Sequence, residues 1–456
     1  MGHAVMLTSG VYERGRHKDH EQLASSRYDI ISASPAHIYS TQTYNASDQA
    51  ALISRDCEAL LSPAHEKPSD LDGNELPFAG GAIGFVSYSG AAAAAGITLD
   101  RNQEVPAIFV GIYQWAIIVD HQNQSCTLVI DKKLDTETRA RLDAIFLPLK
   151  DSHEEQQAST ITNGGFQLET DWQSNTDRTS YARKFQRVKD YVLAGDTYQI
   201  NLSIEHSAKF RGDPWHAFKR LSERFGAPYA GYLQLDNLAL ASFSPERFIR
   251  IDGGKVITQP IKGTRKRHSD SERDRAASEE LLASAKDRAE NLMIVDLMRN
   301  DIGKHCISGS VEVPKLFELQ SFSNVHHLVS TVTGQLAETG LQASLTALFD
   351  ALPGGSVTGA PKHRSMEIIE ELEEHDRTIY CGSLFYATLD GTVDSNILIR
   401  SLLFRADNQH AADSENTRGT VSCWGGSGLV ADSLSEQEYE ESLYKVDHLL
   451  QALTEC

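Results

Sequence analysis

Four stretches of the sequence hold residues whose types and spacing could do chemistry. In SAKDRAENLMIVDLMRND (284–301), Asp287 and Glu290 stand three apart, which on a helix puts both carboxylates on one face. SEQEYEESLYKVDHLL (435–450) repeats that spacing with Glu438 and Glu441, and Lys445 follows four residues after Glu441. Two acidic pairs on two helices suit a hard cation such as Mg²⁺ that keeps several waters. Solvated helix faces with a Glu441–Lys445 surface pair also account for the pattern. LPGGSVTGAPKHRSMEIIEELEE (352–374) supplies glycines where backbone can approach a ligand, hydroxyls at Ser356 and Thr358, and Pro361 at a helix start. Such a helix amino terminus can take an anion, and a plain turn into an amphipathic helix is the alternative. In CWGGSGLVADS (423–433), Gly425, Gly426 and Gly428 interrupt an apolar strand, through a bulge or a close ligand approach.

Single residues add to these. Lys262, in TQPIKGTRKR (258–267), sits in an apolar, glycine-punctuated corner, although lysine is seldom buried unless paired. Arg400 lies inside the apolar run NILIRSLLF (396–404) and demands a partner there, such as a substrate carboxylate. His327 in NVHHLVSTVTG, Tyr380 in IYCGSLF and Glu246 in SPERF each fit a core or surface role when read alone.

These residues have to be held by an ordinary globular framework. The chain has 456 residues, 40% hydrophobic and 23% charged, enough for two or three domains or one large sheet-rich unit. Lysine and arginine total 43 against 63 acidic residues, a formal charge of −20. That balance repels nucleic acid and anionic membranes, so an anionic substrate needs a locally positive pocket or a metal ion. The six cysteines are scattered without a C-x-x-C pair, which indicates neither a zinc cluster nor a disulfide framework. MGHAVMLTSG lacks the long apolar core of a signal peptide, and no apolar run reaches the ~18 residues of a membrane span. The expectation is a cytoplasmic protein with neither nucleic acid nor membrane as partner.

Residues 1–150 read as a strand-rich region, with apolar runs at 80–88, 107–120 and 126–131. The polar stretch 150–165 reads as a linker, which sets a second region at 165–456. There, Ser180 can cap a helix over 180–196 that Gly195 closes, and a strand follows at 197–210. Further strands are expected at 229–235, 238–244, 247–251, 255–261, 382–389 and 420–431, and helices across 273–299, 341–351, 361–374 and 435–453. A hairpin insertion is expected at 407–419. The mixture favours an α/β or α+β architecture.

Taken in order, SPERF, QPIKGTR, DRAENLMIVDLMRND, HHLVS, LPGGSVTGAPK, YCGSL, NILIRS and GGSGLVADS resemble the chorismate-utilising enzyme family. The likeness runs from GDTYQINLS (195–203) to EQEYEESLYKV (436–446), and more loosely through VMLTSG (5–10) and PFAGGAIGFVSY (77–88). It implies an α/β (α+β) fold of the anthranilate synthase component I type, a large two-sheet antiparallel β sandwich with outer helices. Residues 1–150 would be its amino-terminal region and 165–456 its chorismate-binding catalytic region.

A lysine in P-I-K-G-T is similar to the aminodeoxychorismate synthase branch of that family, where anthranilate synthases usually have alanine. The resemblance implies amination of chorismate at C4, in para-aminobenzoate and folate synthesis, with Glu246 as general acid and Lys262 adding at C2 as a covalent intermediate. Gln199 stands where family members that use water place a general-base lysine. Mg²⁺ would bridge Glu290 and Glu441 to the ring carboxylate, with Asp287 and Glu438 acting through waters. Tyr380 and Arg400 would hold the enolpyruvyl carboxylate, assisted by backbone amides around Gly426 and Gly428. Ser356, His327 and Lys445 would line the ring and its carboxylate. Ammonia would come from a glutamine amidotransferase subunit in a heterodimer, because no cysteine of this chain sits in a G-x-C-x-G elbow. Some members hold tryptophan in a pocket that would include Ser9. The competing readings are anthranilate synthase component I, which attacks at C2 and loses pyruvate, and a non-catalytic chorismate- or amino-acid-binding regulator.

Overall fold

The computed structural model describes residues 2–9, 27–63, 69, 73, 75–99, 104–150, 165–322, 325–407 and 417–455. The expected linker at 150–165 and hairpin insertion at 407–419 fall, except for their ends, outside the described residues. Among the described residues the strands form two antiparallel sheets, one of twelve strands and one of ten. The principal hydrophobic cluster draws on both, with Ile30, Leu240 and Leu403 from the larger sheet and Ile83, Ile251 and Phe385 from the smaller. Burying the facing sides of two sheets is what makes them a sandwich, and helices cover the outside. No helix among the described residues is long and apolar enough to cross a membrane.

Both sheets take strands from either side of the 151–164 segment, in two blocks that meet at one junction in each sheet. Val5–Thr8 pairs with Tyr229–Gln234 in the larger, and Gly81–Val86 pairs with Ser383–Ala387 in the smaller. Local sequence explains several boundaries. Gly195, at φ 82°, closes the helix Arg178–Ala194 in a left-handed conformation that glycine tolerates. Its amino terminus is capped by Asp177, whose carboxylate accepts from the Ser180 amide, so Ser180 is inside the helix and is not its cap. The helix expected across 273–299 is two helices, Ser271–Ala283 and Ala285–Gly303. Ser284 breaks them by taking an extended backbone and turning its hydroxyl to accept from the Asp287 amide.

Four strands and one helix carry most of the site. The strand Gln199–Arg211 runs beside Arg418–Leu429, setting Asn201 opposite Gly428 and Ser203 opposite Gly426. The helix Ser435–Thr454 lies across that pair so closely that a Cβ on Gly425 would meet the Ser442 carbonyl at 2.2 Å. In the other sheet, Ile261–Lys266 pairs with Val325–Gln335 and slips register between Ile261 and Thr264. Lys262 stands at that slip.

Candidate active site

The irregularity at Lys262 has a cause in its neighbour. Gly263 has φ 96°, and a Cβ there would come within 3.1 Å of Asp287 Cβ and 3.0 Å of Leu281, so only glycine lets the strand turn against the helix start. The turned strand sends the Lys262 amine to Glu290, with Nζ 2.9 Å from Oε2. Burial disfavours the ammonium, but Glu290, then Glu441 and Glu438, outweigh it and raise the Lys262 pKa above the usual lysine value. On the opposite wall, a Cβ on Gly428 would lie 3.2 Å from Lys262 Nζ and 3.3 Å from Gln199 Nε2. Gly428 therefore leaves room for the amine and the amide side by side.

The four acidic helix residues take different partners. Asp287 is bound by Arg265 at 3.1 Å, and buried Glu438 accepts from Ser433 Oγ at 2.7 Å. Glu290 pairs with Lys262, with Lys286 at 3.8 Å, and Glu441 pairs with Lys445 at 2.8 Å. Burial opposes the Glu441 anion, yet Lys445, Lys262 and Lys286 hold its pKa below the ordinary glutamate value. Among the described residues, no three histidine, cysteine, aspartate or glutamate side chains converge as a closed metal site. Glu290 and Glu441 come from different helices and both act on Lys262. That donor set fits Mg²⁺, which is usually held by one or two carboxylates and completed by water and substrate oxygens.

Glu246 is 7% exposed, and burial pushes its pKa up to about 7 against the pull of the Ile261 amide, Lys262 and Lys445. His327 is buried, its Nδ1 is 2.8 Å from Thr264 Oγ1, and its ring meets Phe322 edge to face. Burial and then the Arg400 charge lower its pKa to about 4, so it is neutral at neutral pH. Arg400 is held at φ 50°, and its guanidinium makes no hydrogen bond or ion pair among the described residues. The residue is exposed, in the bend before the strand Ser401–Ala406 and not inside an apolar strand, yet the protein packed around it lowers its pKa, with Tyr444 opposing.

Buried Tyr380 stacks on Trp424 at 6.3 Å between centroids. A Cβ on Gly426 would meet Asn201 Oδ1 at 2.6 Å and the Tyr380 hydroxyl at 2.8 Å, so glycine is needed for both polar groups to reach this point. The Gly426 carbonyl accepts from Lys445 Nζ at 2.9 Å. Ser356 Oγ, Asn201 Oδ1 and both amide atoms of Gln199 are buried without a protein partner. Buried polar groups are nearly always satisfied, and the unsatisfied atoms of Gln199 and Asn201, at Gly428 and Gly426, mark a place built for a polar ligand.

The residues singled out from sequence are thus distributed in two places. Lys262, Gln199, Gly428, Glu290 and Glu441 share one locus, which Glu246 joins through Lys262, Lys445 through Glu441, and Gly426 through Lys445. Tyr380 meets it at Gly426, and His327 and Arg400 influence each other nearby. Ser9 lies elsewhere, in a cavity of about 670 Å³ with Tyr229, Arg247, Tyr386 and Asp394 in its wall, and its buried hydroxyl has no protein partner. Sequence reading missed Asn201, although its place two residues after Gln199 in a strand puts both on one face.

The chorismate binding enzyme family model matches residues 9–451 of the chain. The chain belongs to that family. Among curated relatives in the chorismate binding enzyme family, aminodeoxychorismate synthase component 1 of Escherichia coli (strain K12) is 40% identical over 461 residues, covering 99% of this chain and 93% of the relative. Its counterpart from Salmonella typhimurium is 40% identical over 442 residues, covering 94% and 90%. Anthranilate synthase component 1 of Thermus thermophilus is 41% identical over 282 residues, covering 62% of this chain and 58% of the relative. In structure, the chain is similar to anthranilate synthase component I from Streptococcus pneumoniae, with a TM-score of 0.76, 26% identity and coverage of 96% and 95% of the two chains.

Proposed function

We propose that this enzyme exchanges the C4 hydroxyl of chorismate for an amine, giving 4-amino-4-deoxychorismate for para-aminobenzoate and folate synthesis in the cytoplasm. The observation that carries the reading is Lys262, whose amine stands between Glu290, Gly428 and Gln199 where a ring would have to react. Near-full-length likeness to aminodeoxychorismate synthase component 1 at 40% identity supports it, because the Thermus anthranilate synthase matches over 62% of this chain and the Streptococcus one, over 96% of it, at only 26% identity.

Glu246 holds a proton up to about pH 7 and gives it to the C4 oxygen. The Lys262 amine forms a bond to C2, both ring double bonds shift by one position, and the C4–O bond breaks to release water. Ammonia then bonds to C4, both double bonds move back, and the C2–N bond to Lys262 breaks. The attacking lysine must be neutral, and Glu290 is the chief influence holding it charged. Drawing Glu290 away from Lys262 removes the chief of the influences that hold the charge and moves the amine toward its neutral form. Glu290 and Glu441 would hold Mg²⁺, with Asp287 and Glu438 supporting through waters, and the ion would supply charge neutralisation at the ring carboxylate. Arg400 and Tyr380 bind the enolpyruvyl carboxylate, the Gly426 and Gly428 backbone closes over it, and Ser356, Lys445 and neutral His327 orient the ring. A second component, a glutamine amidotransferase, would supply ammonia. The Ser9 cavity is assigned to tryptophan.

Incubating the chain with chorismate and Mg²⁺ but no ammonia, then measuring intact and peptide masses, tests the covalent step. We expect an adduct on Lys262 equal to chorismate less one water, discharged by added ammonium. Amination that proceeds with no such adduct would remove Lys262 as nucleophile.

A further inference from the structure

We propose that Arg377 is a positioning residue for the chorismate pocket, acting through Tyr380. The proposal rests on the reading of Tyr380 as a substrate contact. Arg377 and Glu373 have side chains only 1% exposed, and they are joined by two bonds, Nε to Oε2 at 2.8 Å and Nη2 to Oε1 at 2.7 Å. The remaining donors reach site-bearing backbone. Nη2 donates to the Asn201 carbonyl at 2.6 Å, and Nη1 donates to the Val357 carbonyl, next to Ser356, at 3.0 Å. The guanidinium also lies 5.6 Å from the centre of the Tyr380 ring, and the Arg377 carbonyl accepts from the Tyr380 amide at 2.7 Å. Glu373 completes the frame by accepting from the amide and hydroxyl of Ser203, each at 2.8 Å, and Ser203 is opposite Gly426.

One buried ion pair therefore ties the Gln199–Arg211 strand, the 354–359 loop and the turn that presents Tyr380. That turn needs holding, because Thr378 at φ 46° and Cys381 at φ 68° flank Tyr380 in the left-handed region. A buried ion pair is a poor way to gain stability, since apolar residues of the same shape do as well, but a planar fork with five fixed donors is a good way to fix geometry. Lysine keeps the charge opposite Glu373 and loses the fork.

The test compares wild type, Arg377→Lys and the charge-free double variant Glu373→Gln/Arg377→Met, with Arg377→Lys also placed in a Tyr380→Phe background. Readouts are thermal unfolding, chorismate binding by calorimetry in Mg²⁺, and ammonium-dependent turnover. We expect Arg377→Lys to keep the wild-type unfolding midpoint within a few degrees while weakening chorismate binding and raising KM by about tenfold. The double variant should fold and show the same loss. In the Tyr380→Phe background, Arg377→Lys should cost less than about threefold more, because the two act on one contact. Unchanged binding in a folded Arg377→Lys chain, wild-type binding in a folded double variant, or the same tenfold loss in both backgrounds would overturn the proposal. Binding is read without reference to product, so a wild type that binds chorismate but makes something else would refute the proposed reaction and leave the positioning test standing.

Discussion

Glu246→Gln separates what this carboxyl does for the reaction from what its burial costs the fold. Glutamine keeps the shape, cannot ionise and is a far poorer proton donor. Burial raises the Glu246 pKa from 4.5 to about 7, even with the Ile261 amide, Lys262 and Lys445 favouring the anion. At about 1.4 kcal/mol for each tenfold change in proton affinity, that gap corresponds to roughly 3 kcal/mol. The folded chain binds this proton more tightly than the unfolded chain does. Its contribution to stability is full below the unfolded pKa near 4.5, declines as pH rises, and is gone above about 7, where the buried anion is carried at full cost. The glutamine variant has no such decline. Relative to wild type it should gain stability steadily from about pH 4.5 to about pH 7, by up to roughly 3 kcal/mol, as read from urea unfolding without substrate. Amination should fall by about 10²–10⁴-fold, the usual contribution of general acid catalysis. A stability difference that does not change with pH would refute the assigned burial cost, and wild-type turnover in Glu246→Gln would refute the role as acid.

Lys262→Ala should lower C4 amination on the order of 10³-fold and shift residual product toward anthranilate, as mass spectrometry of the products would show. Under the proposed binding of the enolpyruvyl carboxylate by Arg400, Arg400→Ala would remove a charge-assisted contact, so chorismate KM should rise about 30–100-fold in steady-state kinetics, with little change in the unfolding midpoint. Chelation with EDTA should abolish turnover, with recovery on adding Mg²⁺. Glu290→Gln should raise the Mg²⁺ concentration for half-saturation by at least about tenfold, measured by calorimetric titration as well as by activity.

How much could be read before the structure depended on whether the signal was local. The strands at 229–235, 238–244 and 247–251 and the helices at 341–351 and 435–453 show plain periodicity, and the structure has them within a residue or two. The helix Ala46–Leu60, capped by Asn45, is hard to read because Ser54 interrupts its buried face, whereas Pro214–Arg224, capped by Asp213 and burying Pro214, Ala217, Phe218 and Leu221 at plain helical spacing, was legible and still missed. Ser284 breaks a run of good helix formers, and only its hydroxyl bond to the Asp287 amide reveals why. At the site, the spacing of Asp287 with Glu290 and of Glu438 with Glu441 was legible, as a helix repeats its faces every three to four residues. That Lys262 takes Glu290 as its partner was not, because the two meet only through a register slip at Gly263. Arg377 was illegible for the same reason: its partners Asn201 and Val357 lie far from it in sequence and carry no pattern.

The central claim is tested most directly by incubating the purified chain with chorismate, Mg²⁺ and an ammonium salt at mildly alkaline pH and identifying the product by mass spectrometry. The expected product is 4-amino-4-deoxychorismate, with no release of pyruvate. Anthranilate with an equivalent of pyruvate would contradict it.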